Sequence, residues 1–149
     1  EKNIQERREQ QKITQNKSQE EDKLKNTFLE LTKSNDHLQR GFQLEKLFFD
    51  LLDFEEVENV RPYRPEGEQI DGHFQFEKFD YLVEIKWEKD AVAQSDLSVF
   101  DGKIRGKAQS TRGLFVSVSG FGANAIAKFS GDSPRILLMD GLDLMVVLN

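Results

Sequence analysis

Residues 69–87 read QIDGHFQFEKFDYLVEIKW, and the alternation within this stretch decides the fold. From Gln69 to Phe76, Ile70, Gly72, Phe74 and Phe76 alternate with Gln69, Asp71, His73 and Gln75. From Phe79 to Trp87, Tyr81, Val83, Ile85 and Trp87 alternate with Leu82, Glu84 and Lys86. A period of two is that of a strand, whose successive side chains point to opposite faces. The short Glu77-Lys78 link makes the two strands a hairpin. Closure there sets Asp71 directly across from Glu84, with Cβ atoms ~5 Å apart. Two like charges so placed repel, and the arrangement makes sense with a cation between them. Carboxylates at that spacing can hold Mg²⁺ or Mn²⁺ through oxygen, the ligand atom those hard ions prefer. Lys86 shares the face of Glu84, close enough to orient a water or to stabilise charge on a phosphate. The opposite face, with Val83, Ile85 and Trp87, reads as core. The alternative is an exposed cross-strand cluster in which Lys86 pairs with the acids.

Upstream the period changes. Leu24, Phe28, Leu31, Asn35, Leu38, Phe42, Glu45, Phe49 and Leu52 follow in alternating steps of four and three, a heptad seam along one helical face. Ser34-Asn35-Asp36 favours an N-cap, so the seam is either one long helix or two with a cap between them. Glu45 interrupts an apolar stripe flanked by Phe42 and Phe49, where a carboxylate needs compensation by a metal or a network leading to one. A partly solvated Glu45 paired with Arg40 or Lys46 is the competing explanation. Residues 1–22 are almost entirely polar, with Ile4 and Ile13 the only large aliphatics, and predict a solvated helix or linker. Downstream of the seam, Val57–Tyr63 predicts a strand ended by Pro62 and Pro65, with a turn at Gly67. Beyond the hairpin, Ser95 and Asp96 predict the cap of a helix reaching Gln109, Gly113–Ser119 a strand, and Ala123–Phe129 a short helix. Arg135–Met139 predicts a last buried strand, followed by an Asp140-Gly141 turn and an apolar end. The whole predicts an α/β fold: a mixed central β-sheet flanked by helices on both faces and preceded by a long charged helix. Residues 1–36 form the helical, coiled-coil or linker segment and 37–149 the folded domain.

The 149 residues suffice for one domain with a real core. Absence of cysteine excludes disulfides and thiolate metal sites. No apolar run approaches the ~20 residues that span a bilayer, and a cytoplasmic module is expected. A chain that begins at Glu1 is expected to be part of a longer polypeptide. The net charge of −6 argues against a generic nucleic-acid binder, but its distribution softens the objection. Between Gly102 and Gly131 there is no acid, whereas Lys103, Arg105, Lys107, Arg112 and Lys128 are basic. A basic strip beside an acidic cluster has the polarity of metal-binding carboxylates next to a phosphate-binding surface, with Lys103, Arg105, Lys107 and Arg112 as nucleic-acid contacts. A solvated helix face explains the strip equally well. His37 and His73 lack partners for a nucleophile or zinc site; His73 shares the Asp71 face. Ser117 and Ser119 read as packing or backbone-bonding residues.

An acidic residue on an early helix, then Asp, then Glu-x-Lys on the next strand resembles the restriction-endonuclease-like nuclease superfamily, and more narrowly its Mrr-like branch. The carrying segments are residues 40–45 (RGFQLE), 69–72 (QIDG), 83–87 (VEIKW), 117–121 (SVSGF) and 138–144 (LMDGLDL). The likeness covers about residues 38–149. It implies divalent-metal-dependent hydrolysis of DNA phosphodiester bonds, leaving a 5′ phosphate and a 3′ hydroxyl. Asp71 and Glu84 would be the metal ligands for Mg²⁺ or Mn²⁺, with Glu45 assisting and Lys86 positioning and activating the attacking water. Ile70 stands where a proline often precedes the aspartate. The expected role is an endonuclease effector domain, homodimeric or larger, within a larger prokaryotic defence or restriction protein. A non-catalytic oligomerisation or nucleic-acid-docking module of the same fold, and an RNA-cleaving enzyme, remain the alternatives.

Overall fold

The hairpin forms in the expected register. In the computed structural model, which describes all residues except 65, 67–70, 132 and 133, Gly72 pairs with Val83, His73 with Leu82 and Phe74 with Tyr81. One further step in this register faces Asp71 with Glu84. The elements are α1 (Lys2–Thr32), α2 (His37–Phe54), β1 (Asn59–Val60), β2 (Gly72–Phe76), β3 (Phe79–Lys86), α3 (Gln94–Arg105), β4 (Thr111–Ser117), α4 (Ala123–Phe129), β5 (Ile136–Asp140) and α5 (Gly141–Leu148). One sheet runs β1-β2-β3-β4-β5. The first three strands are antiparallel, whereas β3, β4 and β5 are parallel. Parallel neighbours need crossover connections, which α3 and α4 supply.

Both faces of the sheet are covered. Phe48, Phe49 and Leu52 of α2 pack on Phe74, Val83, Leu114 and Val116. Around them α1 and α5 close a cluster with α2 and Trp87. On the other face, Leu97, Phe100 and Ile104 of α3 and Ala125 of α4 cover Leu82, Phe115 and Ile136. Leu24, Phe28 and Leu31 are the only buried residues of α1, and the turns before them are exposed. Phe28 stacks on Trp87, centroids 5.8 Å apart. Among the described residues no helix is long and apolar enough to cross a membrane.

The seam from Leu24 to Leu52 resolves into two helices. Asp36 caps α2 by accepting the Gln39 N–H at 3.1 Å, and the chain turns there, so one face cannot continue through both. Leu38 and Phe42 are therefore exposed, whereas the seam residues Phe49 and Leu52 stay buried together with Leu44, Leu47, Phe48 and Leu51. The strand expected over Val57–Tyr63 contracts to β1, whose Asn59 and Val60 pair with Phe74 and His73. The expected strand start at Gln69 and Ile70 and the turn at Gly67 lie outside the described residues. Helix α3 ends at Arg105, short of Gln109, because Gly106 forms its C-cap. Its N-cap is Ala93, and Asp96 sits three residues inside, accepting the Ala93 N–H. The apolar C-terminus is a helix: Asp140 and Asp143 accept each other's backbone N–H, a capping box where a turn alone was expected.

Gly72 is the position that lets α2 and the segment after β1 approach the hairpin. A Cβ there would collide with the Phe49 ring and lie 2.8 Å from Pro62 Cδ. Phe49 is fully buried and cannot retreat. Gly72→Ala should lower unfolding stability by about 1–3 kcal/mol, measured by urea denaturation; an unchanged midpoint would show that the contact is slack.

Candidate active site

The Gly72 close approach gathers residues from four segments at one end of the hairpin. Glu45 lies one turn before Phe49 on α2, and Arg64 lies two residues beyond Pro62. Asp71 precedes β2, and Glu84 and Lys86 occupy alternate positions of β3. A cleft of about 100 Å³ opens among them, lined by Glu45, Arg64, Asp71, Glu84 and Lys86. All four residues expected to carry the chemistry therefore border one cleft.

Their charges are not bare. Both guanidinium nitrogens of Arg64 donate to the Glu45 carboxylate, each at 3.0 Å, a bidentate geometry specific to arginine. Arg64 also stacks over Phe42, 5.0 Å from its centroid, which gives that exposed aromatic a role. The hydrogen bonds to Glu45 hold the Arg64 pKa above its ordinary value. Glu45 thus pairs with neither Arg40 nor Lys46: Arg40 sits over Trp87 at 4.4 Å, and Lys46 bonds Asp50 at 2.8 Å. The segment leading to Arg64 is tied down by Arg61, which donates to Asp50 at 2.6 Å and Asp53 at 2.7 Å. Burial alone would raise the Asp50 pKa, but hydrogen bonds from Lys46 and Arg61 outweigh it and hold the group below its usual value.

Asp71 and Glu84 share one cation. Lys103 of α3 places Nζ 3.5 Å from Asp71 Oδ2 and 3.9 Å from Glu84 Oε2. Desolvation pushes the Glu84 pKa up; Lys103 and Lys86 oppose the shift, while Asp71 and Glu45 add to it. Among the described residues no three acidic or histidine side chains converge as a ready-made metal cage, and the Glu45 carboxylate is occupied by Arg64. The donors facing a common cation are therefore two, Asp71 and Glu84. That number suits Mg²⁺, which keeps several waters and uses one or two carboxylates together with substrate phosphate.

Lys86 lines the same cleft and contacts Glu88 at 3.9 Å and Asp96 at 3.8 Å. The other basic residues expected to contact nucleic acid have diverse surroundings. Arg105 is bonded to Asp101 at 2.7 Å, and Arg112 lies over Phe79 at 4.6 Å. Lys107 lines a second, wider cavity of about 610 Å³ with Asp71, His73, Gln75, Asp80 and Thr111. His73 is thus beside Asp71, as its position in the alternation implied. Ser117 donates to the Gly120 carbonyl at 2.9 Å and Ser119 to that of Glu88, the backbone-bonding roles expected of them. Arg64 and the inward reach of Lys103 carry no sequence signal: one lies in an irregular segment and the other in a basic strip, and only tertiary packing brings either to the carboxylates.

Residues 38–148 match the family described as restriction endonuclease, the Mrr catalytic domain. No curated protein sequence matches the chain. Among solved structures, the fold is similar to the DNA modification-dependent restriction endonuclease AspBHI, with a TM-score of 0.57 and 18% identity over 87% of this chain and 35% of that one. It is also similar to MspJI restriction endonuclease, solved in complex with a 27-mer oligonucleotide, with a TM-score of 0.52 and 13% identity over 86% of this chain and 30% of that one. The chain thus spans about a third of each of these proteins. With a matched segment that covers most of its length and the mixed sheet common to both structures, the chain belongs to the Mrr-type restriction endonuclease family.

Proposed function

We propose that this domain hydrolyses DNA phosphodiester bonds with a divalent metal held by Asp71 and Glu84. The carrying observation is the cross-strand pair itself, two partly buried carboxylates that already share one cation. A bound Mg²⁺ or Mn²⁺ would supply Lewis acidity toward the scissile phosphate and a water of lowered pKa. The remaining work falls to the chain. Lys86, on the cleft wall, positions the attacking water and steadies charge developing on the phosphate. Glu45, held by Arg64, acts in the outer layer by fixing a guanidinium whose field reaches Asp71 and Glu84. Attack at phosphorus breaks the bond to the 3′ oxygen, leaving a 5′ phosphate and a 3′ hydroxyl. Lys107, which lines the wide cavity with Asp71, and Lys103, which touches both carboxylates, are the bases offered to the phosphates of the strand.

The parent would be a larger prokaryotic restriction or defence protein acting in the cytoplasm, in which α1 links or dimerises the effector. The exposed stretch of α1 from residue 2 to residue 23 also favours a second reading, a docking or assembly module without catalysis. An RNA substrate is a variant of the first reading, distinguished by offering both nucleic acids.

Plasmid incubated with the protein should be cut only when Mg²⁺ or Mn²⁺ is present, and Asp71→Ala, Glu84→Ala and Lys86→Ala should each reduce the rate by roughly 100-fold or more. Undiminished cutting by three folded variants would remove the site assignment. With divalent metal chelated, a pH effect is also expected. A carboxyl whose folded pKa is raised binds its proton more tightly in the native state, so native stability falls as pH rises from the unfolded value of 4.5 through the folded one. In EDTA, Glu84→Gln should match the parent protein below that window and be more stable above it, by urea unfolding. A gap that widens toward low pH would contradict the cause assigned.

A further inference from the structure

Lys103 projects from the last full turn of α3 to a point within 4 Å of both carboxylates. A divalent cation held by those two side chains would have to approach the same oxygens. The ammonium and the metal then become close like charges, and both cannot stay. The other cations of the cleft do not compete in this way. Lys86 has its own acidic partners, Glu88 and Asp96, and Arg64 is held by two hydrogen bonds to Glu45 and by the Phe42 ring. Lys103 alone rests on the proposed metal ligands, through two long contacts, with its side chain 41% exposed. Ion pairs of this length, with the ammonium end partly in water, are weak and easily exchanged.

Resting on the metal-site reading above, we infer that Lys103 is a resident counter-ion that a divalent cation must displace, so that this lysine sets the metal affinity of the cleft. While it is in place it relieves the repulsion between Asp71 and Glu84 and raises the concentration of metal needed to load the site. Once displaced, the ammonium lies beside the wide cavity that Lys107 lines, where a phosphate of the nucleic acid can take it. Metal and nucleic acid then favour one another's binding through Lys103, since each provides what the other's arrival requires.

Calorimetric titration with Mn²⁺, without DNA, tests this on the unmodified protein and on Lys103→Met, Lys103→Arg and Lys107→Met. Lys103→Met should bind Mn²⁺ roughly 3- to 10-fold more tightly, the range that loss of weak exposed pairs allows. It should also unfold at a lower temperature in EDTA and recover with Mn²⁺. Lys103→Arg and Lys107→Met should keep the parental affinity. Equal or weaker binding by folded Lys103→Met overturns the inference while leaving the metal site standing. No Mn²⁺ binding by any of the four proteins removes the metal site itself, and the inference with it. A measurement free of variants is acetylation of surface amines followed by mass spectrometry. Mn²⁺ should raise labelling of Lys103 relative to Lys107, and unchanged labelling contradicts displacement.

Discussion

Asp71 and Glu84 face each other across two strands, and keeping two carboxylates in that position is the constraint around which the neighbouring elements are arranged. Register holds them there. A slip of one residue would drive Glu84 into the α2 face of the sheet and turn Val83 to the α3 face, so the buried clusters on both faces guard the pairing more firmly than any contact at the site. Desolvation at this point works against charge, as the raised Glu84 pKa records. The fold answers with cations delivered from elsewhere in the chain, Lys103 from α3 and Arg64 from the segment beyond β1.

How those cations arrive depends on small features distant from the chemistry. The missing side chain at Gly72 lets Phe49 and Pro62 press against the strand, which brings Glu45 and Arg64 to the cleft rim. Arg61 clamps the same segment onto Asp50 and Asp53 of α2. Arg64 is then rigid, bidentate and stacked, whereas Lys103 rests on long, partly solvated contacts. The two cations suit different duties: one maintains the shape of the site, and the other is the one we propose a metal displaces.

Much of this was legible in the sequence, for identifiable reasons. The period-two alternation of residues 69–87 gave the hairpin, its register and the facing of Asp71 and Glu84, because a strand buried on one side leaves little freedom of pairing. Helix α4 and the last two parallel strands followed from short apolar runs between turn residues. What escaped depends on long-range packing. A heptad spacing across residues 33–36 cannot reveal that the chain turns at Asp36 and leaves Leu38 and Phe42, the seam's first positions on α2, in solvent. The helix after Asp140 was hidden by an apolar composition that fits strand and helix alike, although Asp140 and Asp143 stand at capping-box spacing. The partner of Glu45 lies nineteen positions away in an irregular segment, and Lys103 looks like any other base of its strip until α3 folds over the sheet.

The central claim is that Asp71 and Glu84 hold one divalent metal in place of the lysine they share. A crystal structure of the protein soaked in Mn²⁺, with anomalous data collected near the manganese edge, tests it most directly. A single anomalous peak is expected within metal–oxygen bonding distance of both carboxylates, with the Lys103 ammonium withdrawn from them. A fully soaked crystal with no peak at the cleft, and Lys103 still on Asp71 and Glu84, would contradict it.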